Sequence, residues 1–342
     1  MHDNLRPHLA RALAALVLFP LGCDDAGTIA TRPPPVDTDP PVLGAVAGAG
    51  TVACPTTAPS GAACSQVTVS CPRMDDLGAV VVASAPAGPV RASVLLHNNL
   101  GGTQLLDDGF VDAYHGAGFR VVQVQWQSDW EQSTIGLKHA ACRYATLLEW
   151  IFTNVHSGDR SRGFCAQSYG GGSGGLFFSL AHYGAADVLD AVTVSEGPPF
   201  ARVDLGCTPS TPPRAACPEL PSVPVAYSGG VLQIISQWEV APSCGSDGAA
   251  SAEVNRWASD SILSPGATLA FPQTSLAAWY CTNGFDATLG QGSLLFDQVT
   301  TDKSVHCVGG GDGGGACSGQ APWPSALPDM VADMAARCIP RH

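Results

Sequence analysis

The sequence predicts an α/β protein in which a mostly parallel β-sheet is flanked by helices. Strand-like and helix-like segments alternate from residue 66 almost to the C-terminus. Strands that alternate with helices are typical of parallel sheets, because each helix carries the chain back to the same edge. The chain has 342 residues, of which 45% are hydrophobic, so it can bury one large core.

Runs of β-branched and other apolar residues, bounded by Gly, Pro or Asn, identify the strands of the first half. We expect these strands at residues 66–71, 78–85, 90–99, 119–126 and 163–167. Apolar residues at helical spacing identify the helices between them. We expect these helices at residues 105–118, 136–155 and 174–184.

The second half starts with a strand at 189–196 and then loses the regular alternation. Residues 198–268 are rich in Pro, Ser and Cys, and we interpret them as an inserted cap. Within it we expect a strand at 230–238 and a helix near 252–263. The alternation then resumes, with strands at 275–283 and 303–310 and helices at 292–300 and 327–338.

The N-terminal residues 1–22 have the features of a signal peptide. Two arginines precede an apolar run that is too short to span a bilayer as a helix. The run ends at Pro-Leu-Gly-Cys, which resembles a bacterial lipobox and predicts lipidation of Cys23. Residues 23–50 are rich in proline and small residues, as in a tether. The predicted domain therefore covers residues 51–340, exported and either lipid-anchored at the cell envelope or secreted.

The cysteines also favour export. The chain has 13 of them, so removing Cys23 leaves an even set, as expected for disulfides outside the cytoplasm. No C-x-x-C pair occurs, which argues against a zinc ribbon and a redox motif. We expect Cys165 to be a structural half-cystine and Cys207 to pair with Cys217 inside the cap.

The glycine-rich stretch 163–175 fits two patterns. Gly170, Gly172 and Gly175 match the dinucleotide pattern G-x-G-x-x-G, with Glu196 about where a ribose-binding acid would follow. The same stretch also resembles the G-x-S-x-G turn that carries a nucleophilic serine. Export and a mid-chain position disfavour the dinucleotide interpretation.

Two serines compete for the nucleophile position in this turn. Ser168 directly follows the strand expected at 163–167, with Ala166 and Gly170 as its small neighbours. Ser173 matches the pattern to the letter, but we expect it in the first turn of the next helix. Ser168 is therefore the predicted nucleophile.

The element order, the stretch Ala-Gln-Ser-Tyr-Gly-Gly and the cap before the last strands resemble the α/β-hydrolase fold. The chain departs from that family's usual motif at Ala166, where glycine is common. The resemblance implies a serine hydrolase that acts on ester or related acyl bonds, with its triad in the order serine, acid, histidine. The predicted substrate is a small or polymeric ester.

The resemblance also assigns the remaining site residues. Asp286 follows the next-to-last strand and is the predicted acid, with Glu196 as the alternative. The oxyanion hole would use the N–H of Tyr169 and that of Asn98 or Asn99. His306 is the predicted base, although it lies inside the last expected strand, and the following loop carries Asp312 instead of histidine. His342 is the last residue, and His182 is expected to be structural.

Three functions therefore stay open from the sequence, of which a nucleotide-binding oxidoreductase using the glycines at 170–175 is the third. The first is a serine hydrolase with Ser168, Asp286 and His306, without a metal or cofactor. The second is a catalytically inactive hydrolase fold with a binding or surface role, which the missing loop histidine favours. The net charge of −13 disfavours a nucleic-acid partner.

Overall fold

The computed structural model describes residues 40–208, 210–217, 222–228, 244, 251–282, 287–309 and 326–340. The strands are β1 (Ala45–Thr51), β2 (Ala63–Ser70), β3 (Leu77–Ser84), β4 (Ala92–His97), β5 (Phe119–Trp126), β6 (Gly163–Tyr169), β7 (Ala191–Ser195), β8 (Ser275–Cys281) and β9 (Lys303–Val308). The helices are α1 (Asp108–Gly116), α2 (Leu137–Asn154), α3 (Gly172–Tyr183), α4 (Val203–Gly206), α5 (Ser251–Ser259), α6 (Ala287–Gln298) and α7 (Leu327–Arg337).

The strands form one nine-stranded sheet in the order β1-β2-β3-β5-β4-β6-β7-β8-β9. The first pairings, from β1 to β5, are antiparallel. All pairings from β5 to β9 are parallel. The predicted fold class, a mostly parallel sheet with helices around it, is confirmed.

Helices cover both faces of the sheet. Adjacent residues of a strand point to opposite faces, so each central strand contributes to two cores. Leu95 of β4 belongs to the core that includes α2 and α3. Its neighbour Val94 belongs to a second core, which contains Phe110 of α1 and Met334 of α7. The central strands are thus buried on both sides, as expected for parallel strands.

Two differences from the expected strands bear on the domain limits and the site. The first strand, β1, includes residues 45–50 of the stretch that the sequence predicts to be a tether. β6 extends through Tyr169, so Ser168 lies inside the strand and does not follow it. The pairing of Tyr169 with Ser195 of β7 accounts for this longer strand.

The cap region between β7 and β8 is described in part. It contains the short helix α4 and the helix α5, which begins one residue before the expected helix. The strand expected at 230–238 lies outside the described residues.

Five disulfides join described cysteines. They are Cys54–Cys64, Cys71–Cys142, Cys165–Cys338, Cys207–Cys244 and Cys217–Cys307. The expected structural role of Cys165 is confirmed. The expected pair Cys207–Cys217 is wrong, because Cys217 bonds to Cys307 on β9 and so ties the cap to the sheet. Disulfides of this number are typical of proteins outside the cytoplasm.

None of the helices in the described ranges is both long enough and apolar enough to cross a membrane.

Candidate active site

The order in which successive strands are added to the sheet changes direction between the parallel strands β4 and β6. From β4 the chain moves to β5 on one side, and from β6 it moves to β7 on the other. Ligands of open α/β sheets bind beyond the carboxyl ends of the strands at such a reversal point. His97 ends β4 here and pairs in register with Ser168 of β6, so their side chains share one face.

A sharp turn at Gly170 and Gly171 connects β6 to α3. Gly170 has a φ of 47°, and its N–H donates to the carbonyl of Ser195 at 2.9 Å. Gly171 follows as the N-cap of α3, without a side-chain cap of its own. In the serine-bearing turn of this pattern, the nucleophile occupies the strained position between strand and helix. That position is held by Gly170 and not by Ser168.

The packing around the turn leads to the same assignment. Small residues two before and two after the nucleophile let the strand and the helix approach each other closely. Here a Cβ on Gly172 would lie 3.1 Å from the Ser168 Oγ and 2.3 Å from the Asn98 carbonyl oxygen. Ser168 and Gly172 are therefore the two close-packing residues, and the residue between them is Gly170.

Asn99 fills the space where a side chain on Gly170 would begin. A Cβ on Gly170 would lie 2.9 Å from the Asn99 Oδ1. The carboxamide of Asn99 thus faces the position that a nucleophile would occupy. The sequence contains a signal for this arrangement. In the motif G-x-S-x-G, two small residues flank the nucleophile at a distance of two positions each. Ser168 and Gly172 flank Gly170 in the same way.

Ser168 is enclosed by the protein. The residue is 1% exposed, and its Oγ has no hydrogen-bond partner among the described residues. Ser173 lies in the first turn of α3, as expected, and its hydroxyl donates to the Gly170 carbonyl. Neither hydroxyl is exposed at the sheet edge.

His97 is the histidine closest in register to Ser168. Its Nε2 accepts a hydrogen bond of 3.2 Å from the indole N–H of Trp126. Since an indole only donates, neutral His97 carries its proton on Nδ1. This Nδ1 would lie 2.5 Å from a Cβ on Gly172, on the side where the Ser168 Oγ lies. A protonated Nδ1 cannot accept a proton from Ser168.

Burial opposes the protonation of His97. It lowers the pKa of the imidazole from 6.5 to about 3, and the backbone of Asn98 shifts it only partly in the other direction. An imidazole with this pKa is a weak base at neutral pH. His97 therefore packs and orients the end of β4, in edge contact with the ring of Tyr144.

His306, the predicted base, lies far from Ser168 in the sheet. It pairs with Trp279 of β8, and Trp279 pairs with Ser195 of β7, which pairs with Tyr169. His306 is thus three strands from β6, or about 14 Å at the usual strand spacing. The structure does not bring it to Ser168.

The surroundings of His306 give it a different set of contacts. Its ring stacks on Trp279 with centroids 4.1 Å apart. Its Nε2 lies 2.8 Å from the Ser304 Oγ, which accepts a hydrogen bond from Arg337. The serine beside His306 is therefore Ser304.

The predicted acid, Asp286, lies outside the described residues, as do Asp312 and His342. The alternative acid, Glu196, directly follows β7 with a φ of 52°, and its N–H donates to the Trp279 carbonyl at 3.0 Å. The Nε2–H of His182 donates to the Ile262 carbonyl, 3.0 Å away, which agrees with the structural role expected for it.

The predicted oxyanion-hole residues surround the turn. Tyr169 lies directly before it, at the end of β6. The loop after β4 carries Asn98 and Asn99, and the N–H of Asn99 donates to the Asn98 Oδ1 at 2.7 Å. In this arrangement the Asn99 N–H is directed to its neighbour, which leaves Asn98 as the better placed of the two.

Sequence reasoning missed Glu131, which holds this same loop. Its Oε1 accepts the Gly101 N–H at 2.8 Å, and the residue is 3% exposed. Burial, together with the charge of Asp129, raises the pKa of Glu131 to about 7. An acid in the loop after a strand of the parallel sheet is the sequence signal that could have identified it.

The glycines of the dinucleotide pattern pack inside the protein. A Cβ on Gly175 would lie 2.8 Å from the ring of Tyr144, and Gly172 meets Asn98 as described above. Close packing of α3 against β4 and α2 explains these glycines. No cluster of three His, Cys, Asp or Glu residues that could hold a metal occurs within the described ranges.

Comparisons with known proteins relate the chain to a fold. An acetyl xylan esterase from Paenibacillus sp. R4 matches with a TM-score of 0.55 over 85% of this chain and 88% of that chain, at 9% identity. The strand order and this likeness agree. The chain has the α/β-hydrolase fold.

Other structures of this α/β-hydrolase fold match less closely. An esterase from Mycobacterium marinum has a TM-score of 0.45 and 15% identity, over 81% of this chain and 82% of that one. A carboxyl esterase from Tuber melanosporum has a TM-score of 0.46 and 12% identity, over 84% and 89%. No family model and no curated protein matches the sequence.

Proposed function

We propose that this chain is an exported α/β-hydrolase-fold protein that binds an ester or related acyl ligand without cleaving it by a serine nucleophile. The observation that carries the proposal is Gly170 at the strained position between β6 and α3. A glycine has no side chain that could attack a carbonyl carbon. The acetyl xylan esterase that shares the fold supports an acyl-containing ligand.

The two groups nearest to Gly170 do not replace the missing nucleophile. Ser168 is enclosed, and neutral His97, its neighbour on β4, holds its proton on Nδ1 and uses Nε2 to accept from Trp126, so neither nitrogen is available as a base. Acyl transfer needs a base that removes the hydroxyl proton as the oxygen attacks. The Asn99 carboxamide, whose Oδ1 lies at the Gly170 position, can accept a hydrogen bond there but cannot form an acyl intermediate.

Treatment of the purified protein with a fluorophosphonate probe and short-chain p-nitrophenyl esters tests the proposal. We expect no covalent labelling and no ester turnover above that of the Ser168→Ala variant. Binding is measured separately, as the change in tryptophan fluorescence on addition of a non-hydrolysable ester analogue. We expect that change to persist in Ser168→Ala.

A second candidate function is ester hydrolysis with Ser168 as nucleophile, Asp286 as acid and His306 as base. Its support is the Ser168 Oγ, a buried hydroxyl without a partner in the described structure, as a nucleophile awaiting its base would be. It requires β6 to end before Ser168 and His306 to move toward it. Tyr169 and Asn98 or Asn99 would then form the oxyanion hole.

The same assay separates the two candidates. Labelling of the wild-type protein that is lost in Ser168→Ala and His306→Ala, but kept in Ser173→Ala, contradicts the binding proposal and supports hydrolysis. Ester turnover that is equal in the wild type and Ser168→Ala indicates a contaminating esterase.

We further propose that the protein is held at the cell envelope through lipidated Cys23, with the following proline-rich segment as the spacer. The disulfides in the described domain support export.

A further inference from the structure

A cleft of about 540 Å³ opens at the carboxyl end of β5. One wall is the turn between β2 and β3, residues 73–77, and the other is the loop after β5, residues 128–134. The two walls meet because β3 runs antiparallel to β5 and pairs with it at Ala79 and Trp126. The cleft therefore lies at the same sheet edge as Gly170, one strand beyond β4.

The walls of this cleft are fixed to each other. Arg143 of α2 lies at its base, 5% exposed, and donates to the carbonyls of Asp75, Trp130 and Gln132 at 2.9, 3.1 and 2.6 Å. The adjacent Cys142 is bonded to Cys71, which precedes the first wall. These two ties hold the cleft open in one shape before any ligand arrives, which lowers the entropy cost of binding.

The lining is polar and carries balanced charge. Asp75 and Asp76 offer two carboxylates, and the guanidinium groups of Arg73 and of the buried Arg143 balance their charge. Met74 and Leu77 are the apolar members of the lining. Arg73 has a φ of 61°, a strained conformation for a non-glycine residue that is concentrated at ligand sites. A balanced lining favours a neutral ligand over an anion or a cation.

Uncharged hydrogen-bonding groups complete the cleft. Ser128 and Thr134 supply hydroxyls, and Gln132 supplies a carboxamide. Each of these groups can both donate and accept, as the hydroxyls of a sugar do. The volume lies within the range of small-ligand sites, roughly 300–1,000 Å³.

We propose that this cleft binds a neutral polyhydroxylated ligand, namely one or two units of a saccharide chain. Gln132 and Asp76 would hydrogen-bond the sugar hydroxyls from opposite walls. The proposal does not rest on the function proposed for the Gly170 turn, since binding in the cleft requires neither a nucleophile nor an ester. If both hold, the ligand is an acylated saccharide that spans the two sites.

The test uses saturation-transfer NMR and calorimetry on the purified exported domain, with xylohexaose, cellohexaose and chitohexaose as probes. We expect at least one of them to bind at millimolar concentration or below. Gln132→Ala and Asp76→Asn should each weaken that binding about tenfold, as for the loss of one well-formed hydrogen bond. Both side chains are exposed, so we expect the variants to fold.

Two exposed residues outside the cleft provide matched controls. Gln298→Ala on α6 and Asp112→Asn on α1 make similar changes on other surfaces and should leave saccharide binding unchanged. The proposal is overturned if none of the three probes binds, or if the cleft variants bind as tightly as the controls. Binding of sulfate or Ca²⁺ in place of the saccharides, lost in the cleft variants, overturns it as well.

Discussion

Asp260 caps the helix that begins at Leu137, although the two residues are 123 positions apart in the sequence. Its carboxylate accepts the N–H groups of Leu137 and Lys138 at 2.7 and 2.8 Å. Gly136, the N-cap residue of α2, has no side chain with which to do this, and a Cβ there would lie 2.6 Å from the Asp260 Oδ1. The end of the cap region thus completes a helix of the core.

The first prediction follows from this cap. Asp260→Ala should lower the free energy of unfolding by about 1–2 kcal/mol, because two buried N–H groups lose their acceptor. Urea denaturation measures the change. Asp112→Ala, at an exposed position on α1, is the control and should change stability by less than about 0.5 kcal/mol. Equal effects of the two substitutions would contradict the capping role.

Glu131 predicts a specific pH dependence of stability. Its pKa is raised from 4.5 to about 7 in the folded state. Between these two values the folded chain keeps a proton that the unfolded chain has released, so this contribution to stability is full below pH 4.5 and falls as the pH rises to about 7.

The variant Glu131→Gln isolates that contribution, since its amide oxygen still accepts the Gly101 N–H but the side chain cannot ionise. Its free energy of unfolding relative to the wild type should rise across this pH window, by at most about 1.4 kcal/mol per pH unit. Denaturation at several pH values gives the difference. A difference independent of pH would mean that Glu131 titrates normally.

The close packing around Gly172 predicts that this position does not tolerate an added methyl group. Gly172→Ala would place a Cβ 2.3 Å from the Asn98 carbonyl oxygen and 2.5 Å from the His97 Nδ1, so we expect a loss of about 1–3 kcal/mol. Gly116→Ala, at the end of α1, meets nothing within 4 Å and should be neutral or stabilising. Thermal unfolding compares the two; similar melting temperatures would argue against the close contact of α3 with the β4 loop.

The disulfide pattern predicts a peptide map. Proteolysis without reduction should release linked peptides for Cys207–Cys244 and Cys217–Cys307, identified by mass spectrometry. Cys217→Ser should remove about 2–4 kcal/mol of stability, because the bond that ties the cap to β9 is lost. Detection of a Cys207–Cys217 peptide in the native protein would contradict this pairing.

The lipidation proposal predicts the effect of Cys23→Ser. Without its thiol the chain cannot accept a lipid at this position, so metabolic labelling with a fatty-acid analogue should be lost. The variant should also move from the membrane fraction to the soluble fraction. Cys54→Ser, which removes a disulfide cysteine of the domain, is the control and should keep the label. Labelling of Cys23→Ser at the wild-type level would exclude Cys23 as the attachment site.

The sequence predicted the inner strands of the sheet better than its edge strand β1. Runs of β-branched and other apolar residues identified eight of the nine described strands, since such residues are favoured on buried pleated surfaces. β1, with the sequence Ala-Val-Ala-Gly-Ala-Gly-Thr, is almost entirely exposed and contains mostly small residues. Its pairing with β2, and not its own side chains, makes it a strand.

The candidate site depended on tertiary relations that local sequence does not contain. Ser168 and Tyr169 have the composition of a turn, yet pairing with β7 extends the strand over both. The separation of His306 from Ser168 is set by β7 and β8, which lie between their strands. The motif in the sequence predicted a turn of the nucleophile type. Which residue lies between the strand and the helix, however, depends on the strand pairing, and that residue is Gly170.

The disulfide between Cys165 and Cys338 joins β6, inside the sheet, to the C-terminal end of α7 across 173 residues. Ribosomes make Cys165 long before its partner exists, while Cys142 and Cys71 are already present. Cys165 must therefore remain reduced, or be released from an early wrong partner, until Cys338 has been synthesised and exported. Maturation of this protein should consequently depend on an enzyme that reshuffles disulfides, and a chain truncated before residue 338 would leave Cys165 as an unpaired, buried thiol inside its sheet.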